Sequence, residues 1–211
     1  MSTYRAVIFD IGGVLMGSPM PAIAEYEREL GLAAGSLNRL IGATGAEGAW
    51  GRLERGLLAQ GEFYREFERD CASAGYPGVS ARELLARMAK RSLPVPEMLE
   101  AVRRIRAAGL LTAALTNNWK REDGDSSAPS ELRTLFDAFI ESARVGLQKP
   151  DPRIYQLACR ELGVAPREAV FLDDIGRNLK SARSLGMATI RVEEPGPALR
   201  ELEQLLELEL S

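Results

Sequence analysis

The stretch Arg5-Ala6-Val7-Ile8-Phe9-Asp10-Ile11-Gly12-Gly13 decides how the chain folds. Its apolar run is too short for a helix, shows no polar alternation, and is closed by an acid and two glycines, as a strand buried on both faces of a parallel sheet should be. Asp10 then stands at the carboxyl end of that strand, the edge at which open α/β sheets bind ligands. Further strand-like runs follow at residues 111–116, 138–141, 169–172 and 188–192. Between and after them, residues 97–108, 152–162, 177–185 and 198–208 carry apolar side chains three and four apart, the period of an amphipathic helix. This alternation predicts βαβ units and hence an α/β fold with a doubly wound, mostly parallel sheet.

Residues 17–96 break the alternation. Segments 21–30, 47–57, 62–74 and 81–90 are helical in period with no convincing strand among them, and Pro19, Pro21, Pro94 and Pro96 restrict the chain at both ends. The expected organisation is a core of residues 1–16 and 97–211 with a helical cap at 17–96 over the active edge. Residues 120–130, rich in Ser and charged residues, read as a solvated surface loop. The face formed by Leu199, Leu202, Leu205 and Leu206 is expected to pack on the chain's own core, so a monomer or small homo-oligomer is expected.

Composition narrows the chemistry. The chain has 211 residues, 45% hydrophobic and 27% charged, with a formal net charge of −3, which provides no basic surface for nucleic acid. No apolar run reaches the length of a membrane span and no signal core opens the sequence, so a cytoplasmic protein with no membrane partner is expected. Cys71 and Cys159 lie far apart in helical stretches and read as buried free thiols. The chain contains no histidine, which removes Ser-His-Asp and Cys-His hydrolysis and His-ligated zinc.

Four features recur at expected strand or loop ends: Asp10; Thr116-Asn117-Asn118; Lys149; and Asp173-Asp174 with Asn178 four residues later. Adjacent acids at a sheet edge crowd negative charge unless they share a cation. Asp10 offers an oxygen nucleophile that needs no separate base at neutral pH. The acids offer hard oxygen ligands suited to Mg²⁺. Thr116, Asn117 and Lys149 can hold non-bridging oxygens in a phosphoryl transfer, and Asn178 can orient Lys149 or an acid.

In their order, Phe-Asp-Ile-Gly-Gly-Val-Leu at 9–15, Leu-Thr-Asn-Asn at 115–118, Gly-Leu-Gln-Lys-Pro-Asp-Pro-Arg-Ile-Tyr at 146–155 and Phe-Leu-Asp-Asp-Ile-Gly-Arg-Asn-Leu at 171–179 resemble motifs I to IV of the haloacid dehalogenase-like hydrolases. Among these the chain is similar to the N-terminal phosphatase domain of soluble epoxide hydrolase and to the corresponding domain of acyl-CoA dehydrogenase family proteins. The resemblance implies a Rossmann-like core and a Mg²⁺-dependent hydrolase of small phosphorylated metabolites. It makes Asp10 the nucleophile through an aspartyl-phosphate, Thr116 and Asn117 the phosphate ligands, and Lys149 the residue that steadies the phosphoaspartate. Asp10, Asp174 and the Gly12 carbonyl would hold the metal, with Asp173 and Asn178 in support. The sequence departs from the family where phosphatases carry a second Asp, two residues after the nucleophile; that position is Gly12. The acid is therefore absent or comes from elsewhere, and two alternatives stay open: a carbon–halide hydrolase, and a low-activity phosphate-binding or assembly domain.

Overall fold

The apolar run after Arg5 forms β1 (Ala6–Phe9), every residue of which is buried. β2 (Leu111–Thr116), β3 (Ala138–Glu141), β4 (Ala169–Asp173) and β5 (Ala188–Arg191) complete one sheet in the order β3-β2-β1-β4-β5. All neighbours pair in parallel; Ala6 lies opposite Leu111 on one side and Ala169 on the other. The chain runs outward from β1 to β3, then returns past β1 to build β4 and β5. That reversal puts a crevice at the carboxyl ends of β1 and β4, the switch point of a doubly wound sheet. A computed structural model describes residues 3–210. The outermost residues of the expected core, 1, 2 and 211, lie outside the described residues.

Five helices join β1 to the second half of the core: α1 (Met20–Glu29), α2 (Ser36–Thr44), α3 (Ala49–Glu54), α4 (Gln60–Ser73) and α5 (Ala81–Arg91). α6 (Pro96–Ala107) leads into β2; a short helical turn, α7 (Ser142–Val145), and α8 (Pro152–Leu162) precede β4, and α9 (Gly176–Ser184) and α10 (Pro195–Leu206) flank β5. Strand alternation sends Val7 and Phe9 to one face, beneath Met98 and Ile105 of α6 and Leu202 of α10. Ala6 and Ile8 face the other way, toward Ile154 and Tyr155 of α8 and Leu179 of α9. The helices between β1 and α6 have a third apolar cluster of their own, built on Trp50, Phe63, Phe67 and Leu84. Trp50 meets Phe63 and Phe67 edge-on at 5.6 and 5.4 Å between centroids.

Leu199, Leu202 and Leu206 are buried against the sheet and Leu205 packs beside them, as their spacing predicts. α2 was not predicted. Three glycines and several short polar residues give segment 35–45 little helical propensity. Its first turn is held instead by the buried carboxylate of Glu27, eight and ten residues upstream, which accepts from Gly35 N and Leu37 N at 2.7 Å each. A capping group supplied by another helix leaves no local signature. The loop before β3 is exposed over 121–125, yet it is anchored to the helical segment: Glu122 N donates to Gln60 and the Glu122 carboxylate pairs with Arg82. Cys71 and Cys159 are free and buried, and among the described residues no helix is long and apolar enough to cross a membrane.

Candidate active site at the carboxyl edge of the sheet

Asp10 follows β1, Thr116 ends β2, and Asp173 ends β4 with Asp174 next to it, so the parallel register alone carries them to one edge. Asp10 N donates to Leu172 O at 2.9 Å, which extends the β1–β4 pairing to the acid itself. Lys149 comes from the turn before α8, whose start is set by Pro152 and by Asp151 capping Arg153 N. Its buried ammonium bridges Asp10 Oδ1 and Asp173 Oδ2, each at 2.7 Å. Asn178 holds Asp173 rather than Lys149: its Nδ2 lies 3.1 Å from both carboxylate oxygens, while Ile175 N donates to Oδ1 at 2.7 Å. Asp173 is thereby committed to holding the lysine.

Asp10 is only partly committed. Its Oδ1 takes Ile11 N and Lys149 Nζ, both at 2.7 Å, and among the described residues no hydrogen bond reaches Oδ2. Burial pushes the Asp10 carboxyl up to about 8, against the pull of Lys149 and with Asp173 and Asp174 adding to the rise. Burial also works against the charge on Lys149, but Asp10 and Asp173 outweigh it and hold that pKa above the ordinary lysine value. One ammonium thus serves three crowded acids, and a cation bound among them would favour the ionised form of Asp10.

The donor set fits a divalent cation. Asp10, Asp173 and Asp174 each offer a carboxylate oxygen within 4.8 Å of the others. Among the described residues Asp174 Oδ1 is buried without a hydrogen-bond partner, a costly state that a metal ion would relieve, and Oδ2 receives a 3.4 Å bond from Ser18. Burial, reinforced by Asp173, raises the Asp174 pKa as well. Gly13 makes room for this carboxylate: its φ is +86°, and a Cβ there would come within 2.3 Å of Asp174 Oδ2. Gly12, on the same loop, is different, since a Cβ would meet only Pro19 Cδ at 3.9 Å.

The Asn117 side chain is engaged by neighbouring groups. Its Oδ1 accepts from Lys149 N at 2.8 Å, and its Nδ2 donates to Lys149 O at 3.1 Å and to Glu54 Oε2 at 3.0 Å. The Thr116 hydroxyl beside it donates to Asn117 O at 3.3 Å. Asn118 turns inward and donates to the buried Glu141 at 2.8 Å. Sequence reasoning passed over Glu54, Ser18 and Gly13. Glu54 lies one turn after Trp50 on the buried face of α3, and a carboxylate in such a position was the available signal. A cavity of about 500 Å³ opens between α3 and the sheet edge, lined among others by Trp50, Glu54, Gln148, Lys149 and Arg177.

Residues 4–186 match the family model described as haloacid dehalogenase-like hydrolase. The chain is 40% identical over 206 residues to acyl-CoA dehydrogenase family member 10 of Mus musculus, covering 97% of this chain and 19% of that protein. It therefore spans about a fifth of that relative's length. A phosphatase of Mycobacterium tuberculosis is 30% identical over 200 residues, 90% of this chain and 88% of its own. Among solved structures, a HAD-family enzyme of Bacteroides thetaiotaomicron in complex with magnesium and inorganic phosphate superposes with a TM-score of 0.63 at 19% identity, over 94% of this chain and 98% of that one, a likeness of fold. With the family model spanning most of the sheet and the motif residues gathered at its carboxyl edge, the chain belongs to the haloacid dehalogenase-like hydrolases.

Proposed function

We propose that this hydrolase acts on small phosphorylated molecules and depends on Mg²⁺. The observation that carries the reading is the pairing of a partly free nucleophile, Asp10, with an unpartnered buried oxygen on Asp174, across a lysine that bridges two acids. The phosphatase relative supports the same reading. Residues 1–16 and 97–211 would act as the catalytic core and residues 17–96 as a cap over it.

Asp10 attacks phosphorus, the bond from phosphorus to the leaving oxygen breaks, and the phosphoryl group rests on Asp10 until water displaces it. Thr116 Oγ1 and the Asn117 N–H bind non-bridging oxygens, and Lys149 stabilises the charge that persists on them through a loose transition state. Asp173, fixed by Asn178 and Ile175 N, keeps Lys149 in position. Asp10, Asp174 and the Gly12 carbonyl would hold Mg²⁺, which supplies charge neutralisation of the transferring group when bound.

A phosphate-release screen over sugar, acyl, aryl and alkyl phosphates tests this. Release is expected with Mg²⁺ and not in excess chelator, and Asp10→Asn should abolish it at any Mg²⁺ concentration, whereas Asp174→Asn should chiefly raise the Mg²⁺ requirement. Halide release from 2-haloacids that persists in chelator, without phosphate release from any ester, would replace this reading with a carbon–halide hydrolase.

A further inference from the structure

We propose that Glu54 of α3 is the acid–base residue of this site, standing in for the carboxylate that Gly12 lacks. The inference rests on the phosphohydrolase reading and assigns it one more group. In-line displacement puts the leaving oxygen on the side of phosphorus opposite Asp10, away from the strand ends and toward the helical segment. Glu54 is a carboxylate of this segment that is joined by hydrogen bond to the end of β2, where Thr116 and Asn117 lie. It lines the same cavity as Lys149, and it is tied to the lysine through Asn117, which binds Glu54 Oε2 at 3.0 Å and Lys149 N at 2.8 Å. The two other carboxylates along the cavity are engaged elsewhere. Glu47 is 87% exposed and pairs with Arg55, and both oxygens of Asp151 accept from the Arg153 guanidinium at 2.6–3.0 Å.

The environment of Glu54 suits a group that must give up and regain a proton. Trp50 Nε1 donates to Oε1 at 2.9 Å and Asn117 Nδ2 to Oε2, which orients the carboxyl while leaving each oxygen a second lone pair. Burial holds its pKa above the ordinary glutamate value, even though the Trp50 bond, the charges of Lys149 and Arg177, and the Asn117 bond all pull it down. Gly12 meanwhile has space for a side chain and carries none, so the position that would normally supply the acid is open but empty of any ionisable group.

The proton account closes over both steps. As Asp10 attacks, the leaving oxygen takes the Glu54 proton, giving free alcohol, phosphoaspartate and a Glu54 carboxylate. That carboxylate then accepts a proton from water as the water oxygen bonds to phosphorus. The bond from phosphorus to Asp10 breaks, and inorganic phosphate and protonated Glu54 result. One group serves as acid and then as base, and nothing is consumed but water.

The test measures phosphate release with Mg²⁺ from a series of aryl and alkyl phosphates of rising leaving-group basicity. In the unaltered chain the rate should depend only weakly on leaving-group basicity. Glu54→Gln should make the dependence steep, with loss of roughly 10²–10⁴-fold on alkyl esters and a smaller loss on aryl esters. With p-nitrophenyl phosphate it should also produce a burst of about one nitrophenol per chain followed by slow turnover, because water attack on the phosphoaspartate loses its base. Adding Gly12→Asp to Glu54→Gln should restore alkyl turnover, which no purely structural tether between α3 and Asn117 would permit. A steep dependence in the unaltered chain overturns the proposal without any variant, so a poorly folding Glu54→Gln does not shelter it. Turnover that is insensitive to Glu54→Gln in a chain that does release phosphate overturns the role of Glu54 alone. Absence of phosphate release from every ester overturns the phosphohydrolase reading together with it.

Discussion

Two neighbouring glycines do opposite work in the loop after β1. Gly13 has left-handed backbone geometry and touches the Asp174 carboxylate, so alanine there meets both a strained φ and a clash, whereas Gly12 meets neither. Gly13→Ala should cost about 1–3 kcal/mol, and Gly12→Ala should be neutral or stabilise by up to about 1 kcal/mol through the unfolded chain. Urea unfolding midpoints measure both. Equal losses would mean that the loop is not held in the conformation described. The same difference makes Gly12→Asp a usable probe of the missing acid, because the backbone at that position accepts a side chain.

Among the elements, β3 is secured at its carboxyl end by Glu141, buried at the sheet edge. Its carboxylate accepts from Asn118 at 2.8 Å, from Arg144 Nε at 2.7 Å, and from Ser126 and Arg133, joining the ends of β2 and β3 to the loop between them. Burial alone would raise its pKa, but the bonds from Ser126, Arg133 and Asn118 and the charge of Arg133 outweigh it, and the folded pKa lies below the ordinary glutamate value. A depressed carboxyl stabilises the fold above its unfolded pKa, and that stability drains away as pH falls through the folded pKa. Glu141→Gln should therefore cost about 1.5–3 kcal/mol at pH 7, the contribution of hydrogen bonds to a charged group, and the deficit should shrink below about pH 4. Unfolding midpoints of the two proteins at pH 7, 5 and 3.5 report it; a deficit that does not change with pH would mean that shape, not charge, secures β3.

Across the whole molecule the apolar clusters place one thiol each in two different cores, Cys71 among the helices before α6 and Cys159 beneath the sheet. Burial pushes Cys71 up to about 12, with Asp70 and Glu68 adding to it, and Cys159 to about 11, so neither is a thiolate at neutral pH. A disulfide reagent should therefore label neither in native protein at pH 8 and both in denaturant. Fast labelling of Cys71 alone without denaturant would show that the helical segment opens independently of the sheet.

The α/β architecture was legible because its signals are local. Buried parallel strands are apolar runs, amphipathic helices repeat every three or four residues, and β2, β3 and α8 have the bounds their residues predict. Asp10, Thr116 and Asp173 could be set at strand ends for the same reason, since ending a strand is a property of a few consecutive residues. Other features were decided by side-chain partners that the packed fold selects, whether near in sequence or far. α2 owes its start to Glu27, Asn178 holds Asp173 rather than Lys149, and Asn117 spends its amide on Lys149 and on Glu54, 63 residues away. None of these is written in a periodicity, because a buried polar group takes whichever partner the chain crossing brings within reach, and that crossing is a product of the packed fold.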